Sequence, residues 1–388
     1  MEKSAIKKIG EINCTGCFSC FNSCPVENAL KMKINTEGFY RPFITSKCIN
    51  CGICANVCPV LETPKNNNKV EEIYAGWSRN EEILLRSSSG GIFSEISEKV
   101  IENKGVVYAV GWNEKNSIFH KRIDNKEQLK EVTGSKYIPS YVGKIYDDIR
   151  KDLAESKEVV FVGTPCQVAG LNKIIKDEKL LTIDFICHGM PSYKAYKKYC
   201  DETYGGKVTK TEFRDKKDGW EKFSIKILEN NKILEHKNFG KNNFMRGFLK
   251  DIYLDTSCYN CKFRANERGE NRQADITLAD FWGVPEEIRN YNGVSLIIIN
   301  NEKGKKYFEK IKENIFFKEI KIEDVLETNK PFYKDPVLPK ERKEFFELLE
   351  KETFEKLAIK YFKKQGRWEK LKNSIMKRIR KVINIKKI

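Results

Sequence analysis

With 388 residues, 40% apolar and 33% charged, the chain has room for two or three globular domains and the composition of a soluble protein. No stretch approaches the ~18 apolar residues of a membrane span, and Met1-Glu2-Lys3-Ser4-Ala5 leads into no apolar signal segment, so the expected location is cytoplasmic. Thiols stay reduced there, and thirteen cysteines then ask for metal or redox chemistry rather than a disulfide framework.

The first segment is dense in cysteine and poor in regular pattern. Cys14-x-x-Cys17-x-x-Cys20-x-x-x-Cys24-Pro25 is followed by Cys48-x-x-Cys51-x-x-Cys54-x-x-x-Cys58-Pro59. Thiolates spaced three apart wrap one face of an iron–sulfur cubane, and the cysteine before proline is carried off to ligate the neighbouring cluster. One [4Fe–4S] cluster is therefore assigned to Cys14, Cys17, Cys20 and Cys58, the other to Cys48, Cys51, Cys54 and Cys24. Zinc prefers paired knuckles to this triple-then-proline run. Gly16 and Gly52 relieve crowding inside the two runs. Residues 1–68 read as a bacterial-type two-cluster ferredoxin module, closed by the polar break Glu62-Thr63-Pro64-Lys65-Asn66-Asn67-Asn68-Lys69.

From 69 to 345 strands alternate with helices. The pattern predicts strands over 73–77, 106–112, 159–163, 181–186 and 294–299, and helices over 92–103, 145–154, 167–175 and 305–314. A hairpin pairs 223–228 with 232–237 across Glu229-Asn230-Asn231. The fold class is α/β (α+β), with antiparallel additions to the core. Ser87-Ser88-Ser89-Gly90-Gly91 runs straight into the first helix. Small residues there leave backbone N–H groups free for an anion such as a flavin phosphate, or form a plain helix cap. No GxGxxG opens a strand–helix unit, so a Rossmann-type site is not expected.

Cys166 follows the strand over 159–163, at a helix N-terminus that favours thiolate, and Cys187 ends the next strand. A right-handed crossover makes those strands parallel, so both ends open on one edge of the sheet. Cys258-x-x-Cys261 could complete a four-sulfur site with them, which suits zinc and iron–sulfur alike; the other readings are two small core cysteines and a separate structural zinc knuckle. His188 is a candidate proton donor or supporting partner beside it. Cys200 reads as an ordinary free thiol, and His120 and His236 carry no signal.

The net charge of +17 concentrates in residues 346–388. There Leu357, Tyr361, Trp368, Leu371, Ile375, Ile379 and Ile383 recur at three- and four-residue steps among lysines and arginines. This basic amphipathic helix fits a solvated helix docked on the body, an acidic partner protein or an anionic membrane surface. Nucleic acid is not expected, because no binding motif accompanies the charge.

Six segments follow one another in order: Ser88-Ser89-Gly90-Gly91-Ile92-Phe93, Gly134-Ser135-Lys136-Tyr137, Gly163-Thr164-Pro165-Cys166-Gln167, Ile186-Cys187-His188-Gly189, Cys258-x-x-Cys261-x-Phe263, and Ala274-Asp275-Ile276-Thr277-Leu278-Ala279-Asp280-Phe281-Trp282-Gly283. Together they resemble the beta subunit family of coenzyme F420-reducing hydrogenases and dehydrogenases, over roughly residues 1–340. The resemblance implies an FAD-binding iron–sulfur oxidoreductase that passes electrons between clusters and flavin and exchanges hydride with a soluble carrier. It implies that Cys166, Cys187, Cys258 and Cys261 hold a third [4Fe–4S] cluster. Ser89, Gly90 and Gly91 with Ser135, Lys136 and Tyr137 would line the FAD. Lys136, which turns positive charge toward the flavin, and His188 are the candidate catalytic residues. Hydrogenase-type members carry an acidic residue where this chain has Ser89, and many bacterial relatives resemble proteins found with surface-polysaccharide functions. Two other readings therefore stand beside the first: an electron-delivery subunit docking on an acidic redox partner protein, and a reductase of a specific organic substrate. The oligomeric state is left open.

Overall fold

The computed structural model describes residues 2–64 and 68–362. In the cysteine-rich segment, short helices Ser19–Asn22 and Ile53–Asn56 carry Cys20 and Cys54, the third cysteine of each run. A hairpin of β1 (Leu30–Ile34) and β2 (Tyr40–Ile44) lies between them. Gly16 takes φ +61°, and a Cβ there would stand 2.8 Å from the Tyr40 carbonyl oxygen. Only glycine lets the chain turn so close to the hairpin.

The body is built on a nine-stranded sheet. Its strands are β3 (Glu72–Ser78), β4 (Val106–Trp112), β5 (Ile118–Ile123), β6 (Ser140–Tyr141), β7 (Val159–Val162), β8 (Leu180–Phe185), β12 (Ile276–Asp280), β13 (Ser295–Ile299) and β14 (Ile315–Glu319). The order is β14-β3-β13-β12-β8-β7-β4-β5-β6, and the central β12, β8, β7 and β4 are parallel. Central strands such as Val-Val-Phe-Val are apolar on both faces because helices cover both faces. Val107 and Ala109 pack with helix Ile92–Glu102 on one side, while Val106 and Tyr108 pack with helices Ile145–Ala154 and Pro165–Asn172 on the other. β9 (Lys210–Asp215), β10 (Ser224–Glu229) and β11 (Lys232–Asn238) form a separate antiparallel sheet. Its hairpin turns at Asn230 and Asn231, both with positive φ, as a two-residue connection requires.

The cysteine-rich segment is docked on this body. Phe18 is buried in the core formed by β4, β7 and their helices, and Glu37 pairs with Arg342 at 2.6 Å. Arg41 pairs with Asp255 at 2.8 Å, with both side chains almost fully buried.

Three boundaries differ clearly from those the sequence predicts, and the first is the helix expected over 305–314, which spans Glu302–Glu309 because Asn301 caps it through the Gly304 N–H. The helix expected over 167–175 spans Pro165–Asn172, because Thr164 caps it through a reciprocal bond pair with Gln167 and proline is tolerated at its first position. The tail expected from 346 does not begin there. Helix Arg342–Leu348 runs across that point, and Phe354, Leu357, Ala358 and Phe362 are buried against helices Tyr193–Tyr204 and Asn243–Phe248. Residues 346–362 therefore belong to the body, and the basic stretch 363–388 lies outside the described residues. Among the described residues no helix is long and apolar enough to cross a membrane.

Candidate functional site

The first eight cysteines surround two adjoining cavities. One is lined by Cys14, Cys17, Cys20 and Cys58, the other by Cys24, Cys48, Cys51 and Cys54. Three cysteines of each run thus share a cavity with the proline-linked cysteine of the opposite run. Cys20 and Cys54 feel each other's charge across the divide. Burial pushes the Cys14 thiol up to about 12, so a metal that binds there must displace its proton.

The third set is assembled from distant segments. Thr164 caps helix Pro165–Asn172, which delivers Cys166 in its first turn, with the Thr164 hydroxyl 3.0 Å from Cys166 Sγ. Cys187 follows β8, Cys258 lies in the short turn Thr256–Asn260, and Cys261 ends that turn. All four line one cavity together with Arg41, Asp255, Arg264 and Arg272. The Met190 N–H donates to Cys258 Sγ at 3.3 Å. Arg264 donates to the carbonyls of Cys187 and His188, fixing the loop after β8. Cys166 also feels the charge of Cys17, so this cavity adjoins the first. Arg41, bound to Asp255, lies where the two meet.

Beyond the third set lies a cavity of about 600 Å³ at the C-terminal ends of β4, β7, β8 and β12, where open α/β sheets place their ligands. Thr164, Gln167, Cys187, Gly189 and Met190 line both cavities. Ser88, Ser89, Gly91, Ser135, Lys136, Tyr137 and His188 also line the larger one. The Ser135 N–H donates to Ser88 Oγ at 2.6 Å, which joins the two motif loops.

Gly90 corrects the expectation of a residue open to a cofactor. Its N–H donates to Ser295 Oγ at 2.9 Å, and a Cβ there would meet the Gly76 carbonyl oxygen at 2.3 Å. It is glycine because the loop packs directly against β3 and β13, and its amide is spent on the Ser295 hydroxyl. Lys136 differs from expectation too. Its ammonium donates to the carbonyls of Val132, Thr133 and Gly134, closing the end of helix Lys126–Val132, and burial pushes it down to about 7. His188 Nε2 lies 2.6 Å from Asp251 Oδ1. Asp251 itself holds a left-handed φ of +62°.

Sequence reasoning missed Arg214. It binds both oxygens of Asp280 at 2.6 and 2.9 Å, donates to the Ser88 carbonyl, and lies over the Trp282 ring. Trp220 Nε1 adds a third bond to Asp280, and the Trp220 and Trp282 rings stack 5.1 Å apart. The available signal was a charged residue at an inward position of β9, between Phe213 and the hairpin. Cys200 is buried in the core. His120 stacks on Phe161, and burial drives it down to about 4, so it is a neutral core residue.

Three comparisons bear on this geometry. The model for "4Fe-4S dicluster domain" matches residues 13–61. The N-terminal and C-terminal models of "Coenzyme F420 hydrogenase/dehydrogenase, beta subunit" match residues 73–146 and 156–325 in that order. A curated relative, coenzyme F420 hydrogenase subunit beta of Methanococcus voltae, is 25% identical over 261 residues, 63% of this chain and 82% of its own length. A chain from the F420-reducing [NiFe] hydrogenase complex of Methanosarcina barkeri aligns with a TM-score of 0.46 and 17% identity, covering 66% of this chain and 84% of that one. The cysteine-rich module and the α/β body define an iron–sulfur oxidoreductase that works by electron transfer. Within that class, the chain belongs to the coenzyme F420 hydrogenase/dehydrogenase beta subunit family.

Proposed function

We propose that the chain is an electron relay of three [4Fe–4S] sites ending at an FAD, with a two-cluster module over 1–68 and a flavin-binding body that extends to residue 362. Bound in these places, the clusters would carry single electrons and the flavin would turn them into hydride chemistry with a soluble carrier. The observation that carries this reading is adjacency. The cavity of Cys24, Cys48, Cys51 and Cys54 adjoins that of Cys14, Cys17, Cys20 and Cys58. The latter adjoins that of Cys166, Cys187, Cys258 and Cys261, which shares a wall with the large cavity.

The residues present fit these groups. Twelve cysteines in three sets of four are an all-sulfur donor set. The Met190 and Asn50 N–H groups directed at Cys258 and Cys48 would stabilise negative charge on sulfur. In the large cavity, Gly91 and Ile92 open helix Ile92–Glu102, whose first N–H groups offer an anion site for a pyrophosphate. Ser88, Ser89, Ser135 and Tyr137 line its approach, Arg214 holds the Ser88 carbonyl in place from its pair with Asp280, and His188 bonded to Asp251 stands next to Cys187. The curated relative is named as a hydrogenase subunit, which supports a redox partner protein for this chain as well.

Anaerobic purification with iron, sulfide and flavin quantified per chain tests the proposal. About twelve irons and one FAD are expected, together with bleaching of the spectrum by a reduced hydride carrier. About eight irons without flavin would overturn the third site and the hydride chemistry together, leaving an electron-delivery subunit.

A further inference from the structure

The relay has one end at the surface. Cys51 alone among the thirteen cysteines is exposed. It stands on a loop whose neighbours Asn50 and Gly52 both take positive φ, so the chain bulges outward there. Ile49 on one side is 66% exposed and Ile53 on the other 38%. Lys3 rests on this loop. Its N–H donates to Asn50 Oδ1, and its Cβ would be 3.6 Å from a Cβ built on Gly52. Lys47 lies exposed just before Cys48.

Lys3 and Lys47 flank this face, and the exposed charge of the whole module is mostly positive. Lys3, Lys7, Lys8, Lys31, Lys33 and Lys47 are exposed on the module, and none of them makes an ion pair among the described residues. Glu2, Glu11 and Glu27 are the exposed acidic residues there without a basic partner, whereas Glu62 is held by Lys173 and Glu37 by Arg342. A small apolar patch set in unpaired positive charge matches a transient partner with an acidic rim.

We propose that the face formed by Ile49, Cys51 and Ile53, with Lys3 and Lys47 beside it, is the docking surface for a small acidic one-electron carrier protein. Electron transfer weakens steeply with distance, so the carrier must approach where a cysteine of the relay reaches the surface. One electron leaves the reduced carrier, which is oxidised, and enters the outer four-cysteine site, which is reduced by one. This inference rests on the reading of that site as a cluster.

The test uses the full chain, purified anaerobically with its iron quantified, and an acidic [2Fe–2S] ferredoxin as the probe. Calorimetry with the oxidised ferredoxin should show binding that weakens about tenfold when salt rises from ~0.05 to ~0.3 M. Lys3→Glu/Lys47→Glu should weaken binding about tenfold at low salt and slow reduction by the reduced ferredoxin by the same factor. Reduction by reduced methyl viologen, which needs no docking, should be unchanged. Lys115→Glu/Lys232→Glu, an equal change of charge at exposed positions on the body, should leave both ferredoxin measurements unaltered. The proposal fails if ferredoxin binds the two double variants equally, if binding ignores salt, or if viologen reduces the protein while ferredoxin neither binds nor reduces it. A preparation without iron would instead overturn the cluster reading beneath it.

Discussion

Replacing Arg41 by methionine would remove the buried cation that joins the module to the body. Arg41 donates to Asp255 Oδ1 at 2.8 Å and to the carbonyls of Glu11 and Tyr40 at 3.0 Å each. The two side chains of the pair are 6% and 4% exposed. In Arg41→Met the Asp255 carboxylate keeps only Ser257 as a donor, so an uncompensated charge stays buried at a cost of about 3–5 kcal/mol. Arg41→Met/Asp255→Asn removes both charges, and its cost should fall to about 1–2 kcal/mol. Asp255→Asn alone should cost about 1 kcal/mol, because Arg41 keeps the Glu11 and Tyr40 carbonyls, so the two residues should couple by about 3–4 kcal/mol in a double-mutant cycle. Urea unfolding of the four proteins, followed by tryptophan fluorescence under one set of anaerobic conditions, supplies the cycle. A coupling below ~0.5 kcal/mol would refute the claim that this pair latches the module in place.

Burial works to raise the Asp152 carboxyl, but bonds from Arg122, Tyr108 and Lys157 outweigh it and hold the group at about 2. A depressed carboxyl contributes stability that is present above its unfolded pKa and lost as pH falls through the folded one. Unfolding curves should thus weaken between about pH 4 and pH 2 by about 1–2 kcal/mol, and Asp152→Asn should flatten that slope. Gly90→Ala forces a Cβ against the Gly76 carbonyl, so it should cost about 1–3 kcal/mol in thermal unfolding. Gly134→Ala meets no atom within 4 Å and should cost about 1 kcal/mol, for its left-handed backbone alone. Cys166→Ser should lower iron by about four per chain while the N-terminal sites stay loaded. Unchanged iron content in that variant would remove Cys166 from the third site.

The two N-terminal cysteine sets were legible because local spacing fixes them. Eight of the twelve lie within two short runs, and the crossover between β7 and β8 brings Cys166 and Cys187 to one edge. The strands with the densest apolar runs, β4, β7, β8 and β13, were equally plain. β5 and β9 were not, because charged residues interrupt Ile-Phe-His-Lys-Arg-Ile and Lys-Thr-Glu-Phe-Arg-Asp, and packing overrides their weak alternation. The helix Phe354–Tyr361 showed its amphipathic pattern but not its seat, since the phenylalanines and tyrosines that receive it stand more than a hundred residues earlier. Arg41 and Arg214 escaped for the same reason. Their partners Asp255 and Asp280 are 214 and 66 residues away, and no local pattern announces a buried cation. Lys136 was legible as a cavity residue, whereas its ammonium geometry depended on how helix Lys126–Val132 ends.

The exchange of the fourth cysteine between the two runs makes the pair, rather than the single repeat, the heritable unit of this module. A gene fragment ending anywhere between Cys24 and Cys48 would encode three of the four thiols around its own cavity and one orphan for a cavity that no longer exists. Neither half carries all four thiols of a cavity, so cutting the chain between them leaves both cavities incomplete unless the halves stay together.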